Sequence, residues 1–387
     1  MAARRLLQFW SASSRQKGFA LLLTLWVIAL IIVMATEFAY TMRTEVKIAI
    51  NYRDEVQAYY LAWAGVQAAL YEIGKPFTGT IIGSDGQIVL VPPGTVIPGL
   101  SDDVTTDVKE AEYPTAPIRS GIQLGRGYFS YTIEDEDGKF NLNSLISGTR
   151  DRSDNIDRFR NLLVATGTVA GVETDTIVDS VLDWVDADDL HRINGAEDEY
   201  YEKNYLDQGQ AAPYHPKNGR FDTLEELLLI QGMTPEIFYG SGKAMPGGLA
   251  NQVGVPDDDV GEAAYLGIAQ FLTVSSTNTH VARINKNTAP SLLLEVLFPN
   301  EAEDMQANRD VGEQAVPRMQ ASTTYTIQAT GQMQGSPVSR TIKAVVHRQN
   351  PRGSGRIRIS YWKDSAEFVQ PGAEMGFADF TGETMIQ

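Results

Sequence analysis

From Phe19 to Ala35 the chain carries no charge, and Thr24 is its only polar residue. At helical rise this run spans roughly 25 Å, close to the hydrocarbon thickness of a bilayer. Beyond it, apolar residues keep recurring at helical spacing: Phe38, Met42, Val46, Ala49, Val56, Tyr60, Trp63, Val66 and Leu70. That is the period of an amphipathic helix. The first proline is Pro76, Gly65 is the one glycine between Phe19 and Ile73, and Gly74-Lys75-Pro76 is a stop. The pattern predicts a single helix over 19–73, about 80 Å long. Its first third is apolar all round. Its last part is amphipathic and should pack on a folded head.

The pattern then changes period. Ile81-Ile82 and Gln87–Val91 around Ser84-Asp85-Gly86 predict a hairpin with an Asp-Gly turn. Gly127–Ile133 alternates as a strand and runs into Glu134-Asp135-Glu136-Asp137-Gly138, read as a solvated acidic turn. Phe140-Asn141-Leu142-Asn143-Ser144 and Ile284-Asn285-Lys286-Asn287-Thr288 share one form, apolar-Asn-x-Asn-Ser/Thr. Their Asn-Ser/Thr ends suit helix N-caps, so both are expected to be joints where strands lead into helices.

Helices are predicted over 154–165, over 174–185 with Thr174 as cap, and over 223–231. The last has Thr223 and Glu226 as a capping box and Gly232 as stop. Residues 241–258 read as a loop. Strands return at 324–330 and 339–346, with a further strand at 356–362 and a disordered tail after Asp364. The expected fold class is α+β: a long N-terminal transmembrane, pilin-like helix packed on an antiparallel sheet, with an all-helical domain inserted. The expected units are a leader (1–18), the helix (19–75, spanning the membrane over 19–40), a first part of the head (76–148), the helical insert (149–275), a second part of the head (276–365) and a tail (366–387).

Charge narrows the function. The leader holds Arg4, Arg5, Arg15 and Lys17 and no acid, so it should stay cytoplasmic while the rest is exported. Val33-Met34-Ala35 is a poor signal-peptidase site and the apolar run is long for a cleaved signal. A plain signal anchor and a cut at Gly18–Phe19, before the run, remain. The net charge of −17 argues against nucleic acid as a partner. There is no cysteine, which excludes disulfides and thiolate chemistry.

The densest chemistry lies between Asp179 and Glu202, where nine acids face one arginine, Arg192. Carboxylates this close repel unless something positive sits among them. A hard cation such as calcium takes six to eight oxygens at flexible distances. Asp186, Asp188, Glu197 and Asp198 can supply them, with Asn194-Gly195 as the turn and Asn218 as a further donor if the chain folds back. A solvated acidic loop is the alternative, and the spacing is not that of an EF-hand. The four histidines form no metalloprotease motif, and no nucleophile elbow or phosphate loop occurs. The chain is therefore expected not to be an enzyme. Leu229–Pro235 has something of a helix-hairpin-helix turn, but a second hairpin glycine is missing and the acidity opposes DNA.

Lys17-Gly18-Phe19 followed by an apolar helix resembles the prepilin leader of type IV pilins and pseudopilins. Trp184-Val185-Asp186-Ala187-Asp188, Gly195-Ala196-Glu197-Asp198, Asn218 and the Glu225-Glu226-Leu227 segment, taken in that order, resemble the minor pseudopilin K family of the type II secretion system. The resemblance implies that a prepilin peptidase cuts after Gly18 and methylates Phe19. It implies that Leu23, standing where most pilins have Glu, marks a subunit at the pseudopilus tip. It also implies calcium in the helical domain and minor pseudopilins of the I, J and H types as partners, together with the inner-membrane assembly platform. The head would lie in the periplasm. An anchored periplasmic calcium-binding interaction protein outside any secretion machine is the alternative.

Overall fold

Helix α1 runs unbroken from Gln16–Gly74, three residues earlier than expected and into the leader. The computed structural model describes residues 16–83, 86–93, 95, 115–147, 150–168, 171–204, 214–240, 266–278, 280–310, 320–350 and 355–368. The leader before Gln16, the loop expected at 241–258 and the tail from Val369 on lie outside the described residues. The apolar side chains of α1 from Phe19 to Ile50 are exposed, Leu23 among them at 53%. It is the one helix, among the described residues, long and apolar enough to cross a membrane.

The same helix changes partner further on. Ala58, Leu61, Ala62, Val66, Ala69 and Ile73 recur every three or four residues, and all are buried. They lie against an antiparallel sheet. In chain order the strands are β1 (Gly79–Ile82), β2 (Ile88–Val91), β3 (Ile122–Leu124), β4 (Gly127–Asp135), β5 (Phe140–Asn141), β6 (Ile146–Ser147), β7 (Arg150–Asp151), β8 (Leu272–Thr273), β9 (Thr324–Met333), β10 (Val338–Arg348) and β11 (Ile357–Phe368). The main sheet has the order β11-β10-β9-β4-β3, with every neighbour antiparallel. Its inner face gives Phe129, Tyr131 and Ile133 from β4, Tyr325, Ile327 and Ala329 from β9, and Ile342 and Val346 from β10. The expected hairpin at 81–91 is β1 paired with β2. Strand β11 extends past Asp364 to Phe368, four residues into the stretch expected to be disordered.

Two polar ties fix the end of α1. The last carbonyls of a helix have no partner within it. Arg348 of β10, fully buried, donates to the carbonyls of Ile73 and Lys75 there. Arg119 pairs with Glu72, whose Oε2 also accepts from the Tyr131 hydroxyl at 3.2 Å.

A second core belongs to the helical block: α2 (Ser153–Ala165), α3 (Val172–Val185), α4 (Asp198–Asn204), α5 (Pro235–Tyr239), α6 (Ser291–Leu297) and α7 (Ala302–Asp310). Phe159, Leu162 and Leu163 of α2 meet Val178, Val181 and Leu182 of α3, Leu294 of α6 and Phe238 of α5. The fold is thus mixed α and β, with the long apolar helix and the antiparallel sheet as expected.

Four local expectations need correcting. Helix α3 starts two residues before Thr174, with Gly171 at the cap position and Thr174 buried inside. Residues Leu224–Leu229 form a 3₁₀ helix; its Thr223–Glu226 capping box is as expected. The first Asn-x-Asn joint leads into a 3₁₀ turn, Leu142–Ser144, and the second into a turn at 286–288, and the Asn-Ser/Thr end of neither caps an α-helix: α2 begins after Arg152 and α6 after Pro290. In each, the first Asn folds back and accepts from the second (Asn143 N to Asn141 Oδ1 at 3.0 Å, Asn287 N to Asn285 Oδ1 at 3.2 Å). Asn141 and Asn285 then spend their amide groups on long-range bonds, so the motif serves tertiary structure instead of a helix start.

The fourth correction concerns the acidic turn. Asp135, Glu136 and Asp137 are buried, at 5, 6 and 7% exposure. Asp135 Oδ2 accepts from Ser322 Oγ (2.5 Å), Thr288 Oγ1 (2.6 Å) and Asn285 Nδ2 (2.9 Å), and its Oδ1 from Asp137 N (2.9 Å). Asp137 in turn accepts from Ser276 Oγ and Thr323 N, both at 2.7 Å. Glu136 takes Lys139 at 3.0 Å and Thr326 Oγ1 at 2.7 Å. This knot joins the sheet to Ser276, Asn285 and Thr288.

Candidate functional site

Helix α3 delivers two carboxylates to the acidic loop. Asp183 lies in its last turn and is fully buried; Asp186 is its C-cap. The aromatic rings of Trp184, Tyr201 and Tyr214 pack beneath the loop, with centroids 5.1 to 6.3 Å apart. They hold α4, and with it Glu197 and Asp198, against α3. Gly195 is required at the turn, because a Cβ there would run into the Asp183 carboxylate.

The positive charge among these acids is Arg192. Its Nη1 donates to Asp183 Oδ1 at 2.6 Å and to Asp186 Oδ2 at 2.5 Å, and its Nη2 reaches Asp151 of β7 at 3.0 Å. Its backbone N–H adds a bond to Asp183 Oδ2 at 3.1 Å. Burial works against the guanidinium charge, but bonds from Asp186, Asp183 and Asp151 outweigh it and raise its pKa. Asp183 and Asp186 are both pushed up, chiefly by burial.

Glu197 is different. It is 6% exposed, and its Oε1 and Asp186 Oδ1 are buried without a hydrogen-bond donor among the described residues. Burial, followed by the charges of Asp183, Asp186, Asp189 and Asp198, pushes its carboxyl up to about 7.

The expected ligands therefore separate. Asp186 and Glu197 face one cluster. Asp198 bears on Glu197 but its Oδ1 meets His215 Nδ1 at 3.1 Å. Asp188 bears on Asp186 while its Oδ1 accepts from Leu190 N at 3.1 Å. Asn218 sits in a left-handed turn at φ 48°. Among the described residues no three His, Asp or Glu side chains stand together as a ready metal cage. The donor chemistry still fits a hard cation, because two buried carboxylate oxygens have no donor among the described residues. Asp183, counted among the nine acids but not among the expected ligands, and Asp151, not considered, both join the cluster through Arg192. Asp183 sits within the apolar stripe of α3, which signals a buried acid; nothing in the sequence ties Asp151 to the loop.

Residues 138–239 match the family model for type II secretion system protein K. A putative type II secretion system protein K of Escherichia coli K12 is 26% identical over 58% of this chain and 61% of its own length. Type II secretion system protein K of Pseudomonas aeruginosa is 32% identical over 27% of this chain and 30% of its own. That of Pectobacterium carotovorum is 24% identical over 82% of this chain and 80% of its own. The chain thus spans less than two thirds of the first two relatives. The crystal structure of the GspK-GspI-GspJ complex from enterotoxigenic Escherichia coli aligns with a TM-score of 0.48 at 14% identity, covering 84% of this chain and 99% of the aligned one. Residues 138–239, which hold the acidic loop, are thus similar to type II secretion system protein K, and that match does not include Lys17-Gly18-Phe19.

Proposed function

We propose that the protein is a minor pseudopilin of a type II secretion system, acting by assembly rather than catalysis. The observation that carries this reading is one helix with two kinds of face. From Phe19 to Ile50 it offers apolar side chains to its surroundings, and from Ala58 to Ile73 it is built into the sheet. Such a helix anchors the head in the membrane and offers its exposed length to the helices of partner minor pseudopilins. The head stands on the periplasmic side, as the basic leader requires. Leu23 suits a tip subunit: a carboxylate in the apolar segment needs a partner, and leucine needs none.

Processing tests the reading. Coexpressed with a prepilin peptidase, the chain is expected to lose residues 1–18 and to begin with methylated Phe19. Mass spectrometry of the mature N-terminus decides, and an uncut chain would sink the pseudopilin reading.

The acidic loop is a calcium site in this reading, with Asp186 and Glu197 as the ligands best supported, and their donorless buried oxygens are the reason. A bound cation would lower the repulsion among these carboxylates. Ligand present at a hundred times its Kd stabilises a fold by about 2.7 kcal/mol. Thermal unfolding of the detergent-solubilised protein is expected to shift upward by several degrees in CaCl2 over EGTA. Glu197→Gln should abolish the shift. Equal midpoints in CaCl2 and EGTA would overturn the site.

A further inference from the structure

We infer that Arg192 is the built-in counter-cation of the acidic loop and that a divalent cation competes with it for Asp186; this rests on the calcium reading above. Arg192 is the one Lys or Arg between Asp179 and Glu202. Its guanidinium bridges three elements, the end of α3, the loop and β7, through Asp183, Asp186 and Asp151. Removing an ion's partner while the ion stays buried is strongly destabilising. Fully buried Asp183 is stable here because Arg192 covers it.

The guanidinium does not satisfy the cluster. It adds one positive charge where Asp151, Asp183, Asp186 and Glu197 gather, and it reaches neither Glu197 Oε1 nor Asp186 Oδ1. A divalent ion settling on those two oxygens would share Asp186 with Nη1, which stands 2.5 Å from Oδ2. Two cations on one carboxylate repel, and in a half-buried site screening is weak. The arginine has somewhere to go. Asp151 is 45% exposed at its side chain and holds the outer nitrogen, Nη2, in two bonds. The side chain can swing outward while the loop backbone stays on α3 through Arg192 N to Asp183 and Asn194 N to Asp179. Arg192 thus holds the loop closed without metal and yields Asp186 when the metal arrives. This accounts for why the carboxylates are close yet form no ready cage.

Competition makes two predictions of opposite sign, read by calorimetric titration of CaCl2 into the full-length, detergent-solubilised protein. Arg192→Gln removes the competitor and is expected to bind calcium about tenfold more tightly, within the usual range of coupling between two linked occupants. Its unfolding midpoint in EGTA should fall and should be restored by CaCl2. Asp151→Asn, at an exposed position, removes the outer anchor and leaves Arg192 wholly on the α3 acids, so calcium should bind several-fold more weakly. Equal or weaker binding by Arg192→Gln, or unchanged or tighter binding by Asp151→Asn, would overturn the competition while leaving the calcium site standing. Calcium binding by Arg192→Gln alone would support the inference in its strongest form. Silence from wild type and both variants would overturn the calcium reading and the inference together.

Discussion

Gly331→Ala is expected to destabilise the head by roughly 3 kcal/mol and to loosen α1 from the sheet. Gly331 sits in β9 where the helix crosses closest. A Cβ there would run into the backbone at Ala58 O and Ala62 N and lie 2.6 Å from Leu61 Cβ. Backbone atoms of a helix and a central strand cannot turn aside as a side-chain tip can, so the helix as a whole must shift. The neighbouring surface is already reduced: Ala58, Ala62 and Ala69 face the sheet, and a Cβ on Gly65 would lie 3.0 Å from Ala329 Cβ. Gly74→Ala is the control, since its nearest contact would be Ile357 Cδ1 at 3.9 Å, and it should change stability by no more than about 0.5 kcal/mol. Urea unfolding of both variants reads the difference, and hydrogen exchange over residues 58–66 reports whether α1 has loosened. Wild-type stability in Gly331→Ala would show that the helix–sheet contact is not as tight as described. If the contact holds, the variant also disturbs the one element that connects membrane and head.

Asp135→Ala should cost about 4 kcal/mol, because it strands several buried donors at once. Ser322, Thr288, Asn285 and the Asp137 amide all end on this carboxylate. They come from β9's approach, the second Asn-x-Asn joint and the acidic turn, so the loss loosens the helical block from the sheet. Burial and then the charge of Asp137 push the Asp135 carboxyl up to about 7. In the unfolded chain it titrates near pH 4, at about 3.9. Between those values the folded protein holds a proton that the unfolded chain has released. The contribution of this group to stability is therefore greatest below about pH 4 and is lost as pH rises through 7. Asp135→Asn should flatten the slope of urea midpoint against pH in that window. A slope equal to wild type would place the titration elsewhere.

The long helix could be read from the chain because everything that makes it is local. An unbroken 3.6 period, a lack of proline and a stop at Gly74-Lys75-Pro76 act within a few turns, and the helix ends at Gly74. Strands β4, β9, β10 and β11 of the main sheet and the capping box at Thr223–Glu226 follow from equally short-range patterns, while the short edge strand β3 was not read. The acidic loop was visible as a density of charge, and the family resemblance of its motifs holds over residues 138–239.

What escaped the sequence is the fate of each charge. Glu134–Gly138 has the composition of a solvated turn, yet Asp135, Glu136 and Asp137 are buried, since Asp135 meets Asn285 across 150 residues and Ser322 across 187. Likewise Arg192 stands in the sequence as one base among nine acids; only the fold brings Asp151, 41 residues away, to its outer nitrogen. Gly331 is one glycine of 34 until α1 lies across it. Period and propensity are properties of neighbouring residues and survive in one dimension. Whether a carboxylate is desolvated, and which cation or donor compensates it, depends on groups brought together from distant positions. In this chain the elements and the anchor were settled locally, and the compensation of the buried acids was settled by tertiary packing.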